Sequence, residues 1–194
     1  IKNETNTRSG LLKLIIFYAI VGISTLALFI PFFSSEFITN YSKTVGLWFG
    51  KFEFNASIYY LARYIGYWFR GWNEIEIIGR TLPVLVFLFI IGLAVLKRNN
   101  TTKKLILAML FAFTCYLFMS TTVHPWYVAT VLALSVFTRY KFALIWSFIV
   151  IISYLAYANT DNTENLWIIG LEYLVVYSVF IWELFFKKTQ VLYK

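Results

Sequence analysis

The sequence predicts an all-α integral membrane protein of about six transmembrane helices, with an amphipathic interfacial helix in a long outer loop. Composition is one basis: 60% of residues are hydrophobic, 21% aromatic and 13% charged. The mean hydropathy of +0.73 lies outside the range of soluble domains. The other basis is a series of apolar stretches separated by short breaks. They form a single multi-span domain, with predicted spans at 11–33, 80–96, 105–123, 126–138, 142–157 and 165–186.

The charge of the breaks predicts the orientation of these spans. Segment 97–104 carries four cations and segment 139–141 carries two, whereas 121–125 is nearly uncharged and 158–164 is acidic. Short cationic loops remain in the cytoplasm. We therefore expect a multi-pass protein of the cell (inner) membrane, with both ends of the chain cytoplasmic and loop 34–79 extracytoplasmic.

Charge and cysteine content exclude several classes of function. The net charge of +8 is accounted for by cytoplasmic loop residues, so nucleic acid is not expected as a partner. The single cysteine, Cys115, and the absence of a His/Cys cluster in the sequence argue against disulfides and structural zinc. We expect no metal and no cofactor. A chain that opens with Ile1 in a cytoplasmic segment, without an initiator Met, is interpreted as the rear part of a longer protein.

Span 126–138 is too short to cross the bilayer, since about 20 helical residues are needed for a core of roughly 30 Å. Pro125 is well suited to begin its helix below the outer surface. A recessed helix end of this kind usually borders a water-filled cavity.

The outer segment 34–79 contains the predicted interfacial helix, at 54–72. An apolar stripe at helical spacing would lie opposite Arg63 and Arg70, which are two turns apart on one face. The stripe comprises Phe54, Ile58, Leu61, Ile65, Trp68 and Trp72. Two interpretations remain open. The helix either rests on lipid head groups or forms a cationic, tyrosine-lined wall that binds a phosphate through guanidinium contacts.

Three further residues are candidates for function. His124 is the only histidine, and it could accept a proton or bind phosphate, or merely cap the helix that begins at Pro125. Glu172 lies within the last span, where a carboxylate is a functional candidate by default. Glu183, also in that span, is expected to form a helix-face ion pair with Lys187.

Two short motifs resemble a known family. Residues 51–65 read K-F-E-F-N-A-S-I-Y-Y-L-A-R-Y-I, and residues 123–127 read V-H-P-W-Y. Their order and spacing resemble bacterial polyprenyl-phosphate-sugar glycosyltransferases of the GT-C superfamily, particularly the mannosyltransferase-like members. The resemblance covers about residues 10 to 190 and corresponds to the C-terminal half of such an enzyme. It implies a GT-C-like fold and transfer of a sugar, such as mannose, from a polyprenyl-phosphate donor to a glycan or lipid acceptor on the outer face.

The resemblance also implies roles for individual residues. Those expected to bind the donor phosphate are Arg63, Arg70, Arg80 and His124. Those expected to contact the rest of the substrates are Lys51, Glu53, Asn55, Tyr59, Tyr60, Tyr64, Trp126 and Tyr127. The family's catalytic aspartate lies in the first outer loop, upstream of this sequence. We therefore name no catalytic base here and expect residues 1–194 alone to be inactive.

Two alternatives remain open at the level of the sequence. A lipid-linked glycan ligase or polymerase would also use outer-loop arginines and a histidine. A non-catalytic transporter or flippase component could use the same arginines to guide an anionic lipid, and internal symmetry between its halves would distinguish it.

Overall fold

A computed structural model describes residues 7–161 and 163–186. The described residues form α-helices and 3₁₀ segments, and no β-strand occurs among them. The α-helices are α1 Thr7–Phe29, α2 Ser35–Lys51, α3 Ile58–Arg70, α4 Ile75–Leu96, α5 Thr102–Met119, α6 Pro125–Val136, α7 Phe142–Ile149 and α8 Leu166–Phe185. The 3₁₀ segments are Ile30–Phe32, after α1, and Val150–Ala158, which continues α7.

Four helical segments of the described chain are long and apolar enough to cross a membrane. They are Ser9–Phe32, Ile75–Leu96, Thr102–Met119 and Leu166–Phe185. Many of their large apolar side chains are exposed on the protein surface, as expected for helices solvated by lipid. These findings support the predicted all-helical membrane class. Segments Pro125–Val136 and Phe142–Ala158 are apolar but shorter, and the count of six spans stays a prediction.

The chain divides into two compact units, Ile1–Trp48 and Phe49–Lys194. In the described part of the first unit, α1 and the turn Ile30–Phe32 are followed by the start of α2. The Ser34 hydroxyl accepts the Phe37 N–H at 3.0 Å, which satisfies one of the free donors at the start of α2. From the sequence we assign 34–79 to an outer loop and do not predict α2, which spans Ser35–Lys51.

The second unit has one main apolar core, where α5 to α8 pack against one another. Phe142 and Trp146 of α7 are fully buried between Val131 of α6 and Val176 of α8. Phe118 of α5 contacts the Trp146 ring with centroids 5.0 Å apart. Packing in this core fixes the positions of α5, α7 and α8 relative to one another. It thereby positions the polar groups that these helices carry, such as Glu172.

Glu183 has a structural role that the sequence did not predict. It is buried, and its Oε2 accepts the backbone N–H groups of Lys141 at 2.7 Å and Phe142 at 2.9 Å. The first N–H groups of a helix have no intrahelical acceptor, and a carboxylate is favoured at that end. Glu183 therefore anchors the start of α7. Its expected partner Lys187 lies outside the described residues.

The helix predicted to be interfacial corresponds to α3, which is shorter than predicted. It begins at Ile58 rather than at residue 54, and it ends at Arg70, with Gly71 in the left-handed conformation at φ +79°. Residues 52–57 are not helical because Phe54 forms a bridge to another loop and Asn55 has φ +47°. Trp68, on the apolar stripe, remains 85% exposed, as an interfacial helix requires, whereas Phe54 is buried.

Candidate functional site

The two motifs that carry the resemblance lie side by side. The Phe54 N–H donates to the carbonyl of Thr121 at 3.0 Å, and the Val123 N–H donates to the Phe54 carbonyl at 2.8 Å. The Thr122 hydroxyl adds a bond to the Phe52 carbonyl at 3.3 Å. Segments 52–57 and 121–124 therefore form one loop cluster. It lies at the C-terminal end of α5 and at the N-terminal ends of α3 and α6.

Asn55 is the centre of this cluster and is fully buried. Its backbone N–H donates to Glu164 Oε1 at 2.6 Å, and its carbonyl accepts the Tyr173 hydroxyl at 2.7 Å. Its Nδ2 donates to Glu172 Oε1 at 3.1 Å. Asparagine tolerates the positive φ found here better than most residues do. One residue thus joins the loop cluster to α8 and to the segment before α8.

Glu53 and Arg63 form an ion pair beside Asn55. The Arg63 guanidinium donates to Glu53 Oε1, and the Tyr59 hydroxyl donates to Glu53 Oε2 at 2.5 Å. The guanidinium also lies 4.4 Å from the centroid of the Tyr60 ring, a cation–π contact. Only 17% of the Arg63 side chain is exposed, so this cation is held in a defined place and its charge is compensated.

Glu164 is held by two donors, the Asn55 N–H and the Tyr60 hydroxyl. Burial raises the pKa of Glu164 above its ordinary value, and the two hydrogen bonds oppose that shift. Burial also raises the pKa of Tyr60, as does the neighbouring charge of Glu164. The phenol therefore stays protonated and acts as a donor to the carboxylate.

A cleft of about 490 Å³ lies between α3 and α8 beside these groups. Its size is typical of small-molecule sites, and it is largely apolar with a few polar groups. Its lining includes leucine and isoleucine residues together with five tyrosines, Ser57 and Arg63. The tyrosines are Tyr60, Tyr64, Tyr67, Tyr173 and Tyr177. Such a cleft can take a ligand with an apolar chain and a hydroxyl-rich head.

His124 is buried among aromatic rings. Its imidazole stacks on Phe54 and on Trp126, with centroids 4.8 and 4.3 Å away, and meets Tyr127 edge-on at 5.5 Å. Burial lowers the pKa of His124, which favours the neutral imidazole at pH 7. The side chain does not cap α6. Packing of the loop cluster is therefore its visible role, and phosphate binding by His124 stays a prediction.

The other predicted phosphate-binding residues lie apart from Arg63. The Arg70 side chain is 62% exposed, and its Nε lies 3.8 Å from Glu74 Oε1. Arg80 is exposed, and its Nη2 lies 2.5 Å from Glu76 Oε1. The Arg80–Glu76 pair joins neighbouring turns of α4, whereas the Arg70–Glu74 pair joins the end of α3 to the residue before α4. Of the residues expected to contact substrate, Lys51, Tyr64 and Trp126 are exposed, whereas Glu53, Asn55, Tyr59 and Tyr60 join the cluster. The cluster contains the carboxyl groups of Glu53, Glu164 and Glu172 and the guanidinium of Arg63, and the cationic wall stays a prediction.

Several residues of the site were not singled out from the sequence. Glu164 was noted only as part of an acidic break, and Tyr173 and Tyr177 were treated as part of a span. The helical spacing of residues in α8 could have indicated Tyr173 as a buried residue. Ile169, Glu172, Tyr173 and Val176 follow the spacing of one buried helix face, and two polar side chains on such a face require partners.

No group of three or more His, Cys, Asp or Glu residues is placed to hold a metal ion in the described part of the chain. Compared with protein-family models, curated proteins and solved structures, the sequence shows no significant match. The resemblance of the two motifs therefore depends on their own residues.

Proposed function

We propose that the protein acts as a membrane glycosyltransferase of GT-C-like architecture with six spans. It takes a sugar, such as mannose, from a polyprenyl-phosphate donor and transfers it to a glycan or lipid acceptor on the outer face of the cell membrane. The observation that supports this proposal is the α3–α8 cleft, whose largely apolar lining also contains five tyrosines and Arg63.

The side chains at the cleft suit a sugar. Sugar hydroxyls both donate and accept hydrogen bonds, so they need carboxylates as well as phenols and guanidinium groups. Tyr60 and Arg63 line the cleft, and the Glu53 carboxylate is bonded to Arg63 next to it. The lipid part of the donor would lie along Leu61, Leu166 and the neighbouring apolar residues, where burial stabilises it by about 25 cal/mol per Å² of apolar surface.

Arg63 would contact the donor phosphate while remaining bonded to Glu53. A guanidinium has five N–H groups in a planar fork, so one can donate to Glu53 while others reach a phosphate. As the bond between the sugar and the phosphate breaks, negative charge develops on the leaving oxygen. A fixed cation in a partly water-excluded site stabilises that charge.

Substitution of Arg63 tests this proposal. In the full-length protein, with polyprenyl-phosphate mannose as donor and native membranes as acceptor source, Arg63→Ala should cost about 2–5 kcal/mol in transfer, and Arg63→Lys somewhat less. Lysine keeps the charge but loses the planar fork. Arg98→Lys, in an exposed loop far along the chain from the cleft, is the matched control and should transfer like wild type.

Near-full transfer by Arg63→Lys at unchanged protein level would contradict the donor-phosphate role. It would indicate a helix resting on lipid head groups, where each cation contributes about 1 kcal/mol and lysine replaces arginine. Binding of the lipid without any consumption of the donor would favour the transporter or flippase alternative.

A further inference from the structure

Glu172 and Asn55 form a buried pair that has two unsatisfied oxygens. Glu172 is 2% exposed and Asn55 is 0% exposed. Both donors that reach the carboxyl group, Asn55 Nδ2 at 3.1 Å and Trp146 Nε1 at 3.3 Å, bond to the same oxygen, Oε1. Within residues 7–161 and 163–186, neither Glu172 Oε2 nor Asn55 Oδ1 has a hydrogen-bond partner.

We infer that Glu172 carries a proton on Oε2 and donates it to Asn55 Oδ1. The two side chains would then form a closed acid–amide pair with two hydrogen bonds. A protonated carboxyl group is a donor, whereas an ionised one only accepts. One proton on Oε2 would therefore satisfy both oxygens, whereas an ionised group would leave two buried acceptors without a donor.

The surroundings of Glu172 favour the neutral acid. Burying an ionised carboxylate is costly unless it is paired with a cation. In the described part of the chain no Lys or Arg forms an ion pair with Glu172. Its hydrogen-bond partners are one amide and one indole, and the neighbouring carboxyl group of Glu164 also disfavours a negative charge on Glu172.

The pair has a consequence for the cleft. It holds Asn55 in place, and the backbone N–H of Asn55 orients the Glu164 carboxylate, which also accepts the Tyr60 hydroxyl. Glu172 is then a positioning residue that acts on Glu164 through Asn55. This last step rests on the proposed function, because it treats the cleft as the substrate site, whereas the protonation of Glu172 does not depend on that function.

Infrared spectroscopy tests the protonation directly. The wild-type protein in detergent at pH 7 should show a carbonyl band of an un-ionised carboxylic acid that shifts in D₂O and is lost in Glu172→Gln. If Glu172→Gln instead loses the bands of an ionised carboxylate relative to the wild type, the inference is wrong. That result would mean that Glu172 is ionised and that a cation or water bridges the two oxygens.

Thermal unfolding provides a second test. Glutamine reproduces the neutral acid, because its amide N–H can donate to Asn55 Oδ1 while its carbonyl accepts from Asn55 and Trp146. Glu172→Gln should keep Tm within about 2 °C of wild type, and Glu172→Ala should lower it by about 4 °C or more. The matched control is Glu183→Gln in the same helix, which should lower Tm because the α7 N-terminus loses a negative charge. A large loss of Tm in Glu172→Gln would contradict the pair.

The positioning role has its own readout. The Glu164 carboxyl band, identified with Glu164→Gln, should titrate at higher pH in Glu172→Ala, because the Asn55 N–H bond lowers the pKa of Glu164. The other groups facing Glu164 are Tyr60, Glu53 and Arg63, and they are unchanged in both variants. Glu172→Gln should titrate like wild type. An unchanged titration in Glu172→Ala would limit Glu172 to a packing role. Absence of sugar transfer by the full-length wild-type protein would refute the proposed function alone.

Discussion

At the scale of single residues, the site depends on how burial and hydrogen bonding oppose each other at Glu164. Removal from water disfavours its charged form, and the Tyr60 hydroxyl and the Asn55 N–H favour it. Burial has the larger effect, so the pKa of Glu164 lies above its ordinary value of 4.5. The folded protein therefore binds a proton more readily here than the unfolded chain does.

This difference predicts a pH dependence of stability. A group with a raised folded-state pKa contributes stability that is fully present below its unfolded pKa, and this contribution is lost as pH rises through the folded pKa. The contribution of Glu164 to the Tm should therefore fall as pH rises from about 4.5 through its folded pKa. The difference in Tm between wild type and Glu164→Gln, measured in detergent at a series of pH values, should reveal this slope. A difference that stays constant with pH would contradict the raised pKa.

At the scale of elements, α7 depends on a residue from another helix. Its first two N–H groups are bonded to the carboxylate of Glu183, 41 to 42 positions away. Phe142 is fully buried at this point, so water is a poor substitute for the carboxylate. The contact joins the start of α7 to the C-terminal end of α8. Glu172, which Trp146 of α7 contacts, lies in the N-terminal half of α8.

Removal of this anchor should be costly. Glu183→Ala leaves two backbone donors without their acceptor, and each unsatisfied buried group costs about 1–3 kcal/mol. Chemical unfolding in detergent should show this loss. Glu76→Ala, which removes an exposed carboxylate from α4, is the matched control and should change stability by less than about 0.5 kcal/mol. Equal effects of the two substitutions would show that the Glu183 contact contributes little.

The 3₁₀ segment that follows α7 bears on the proposed six spans. A 3₁₀ helix rises about 2.0 Å per residue, compared with about 1.5 Å in an α-helix. The eight residues of α7 and the nine of Val150–Ala158 therefore extend about 30 Å, which matches the hydrocarbon core. This supports a crossing by a stretch that seemed short from its residue count. Pro125–Val136, with 12 residues, extends only about 18 Å and agrees with a recessed end.

At the scale of the whole molecule, the charge of the loops predicts which side each segment faces. Cysteine labelling tests this in intact cells after Cys115→Ala. A membrane-impermeant thiol reagent should label Asp161→Cys, in the acidic break, and should not label Asn100→Cys, in the cationic loop, until the cells are permeabilised. Both positions are exposed on the protein. Labelling of Asn100→Cys from outside would contradict the whole topology.

The sequence by itself determined the class of protein and four of its long helices. Apolar length is a local property: a stretch of about 20 apolar residues is stable across a bilayer whatever surrounds it. The same reasoning predicted a helix with Arg63 near its centre. Its start was placed too early at Phe54, because helical periodicity does not reveal that a loop 67 residues later will take the Phe54 backbone out of the helix.

Only the tertiary structure decided how the chemical groups of the site combine. It brought the motifs of 51–65 and 123–127 together, paired Arg63 with Glu53, and enclosed His124 in aromatic rings. It also added Glu164 and Glu172, the carboxyl groups on either side of Asn55. The charge state of an ionisable group depends on burial and on its partners in space, and these come from segments about 100 residues apart, beyond the reach of any local pattern.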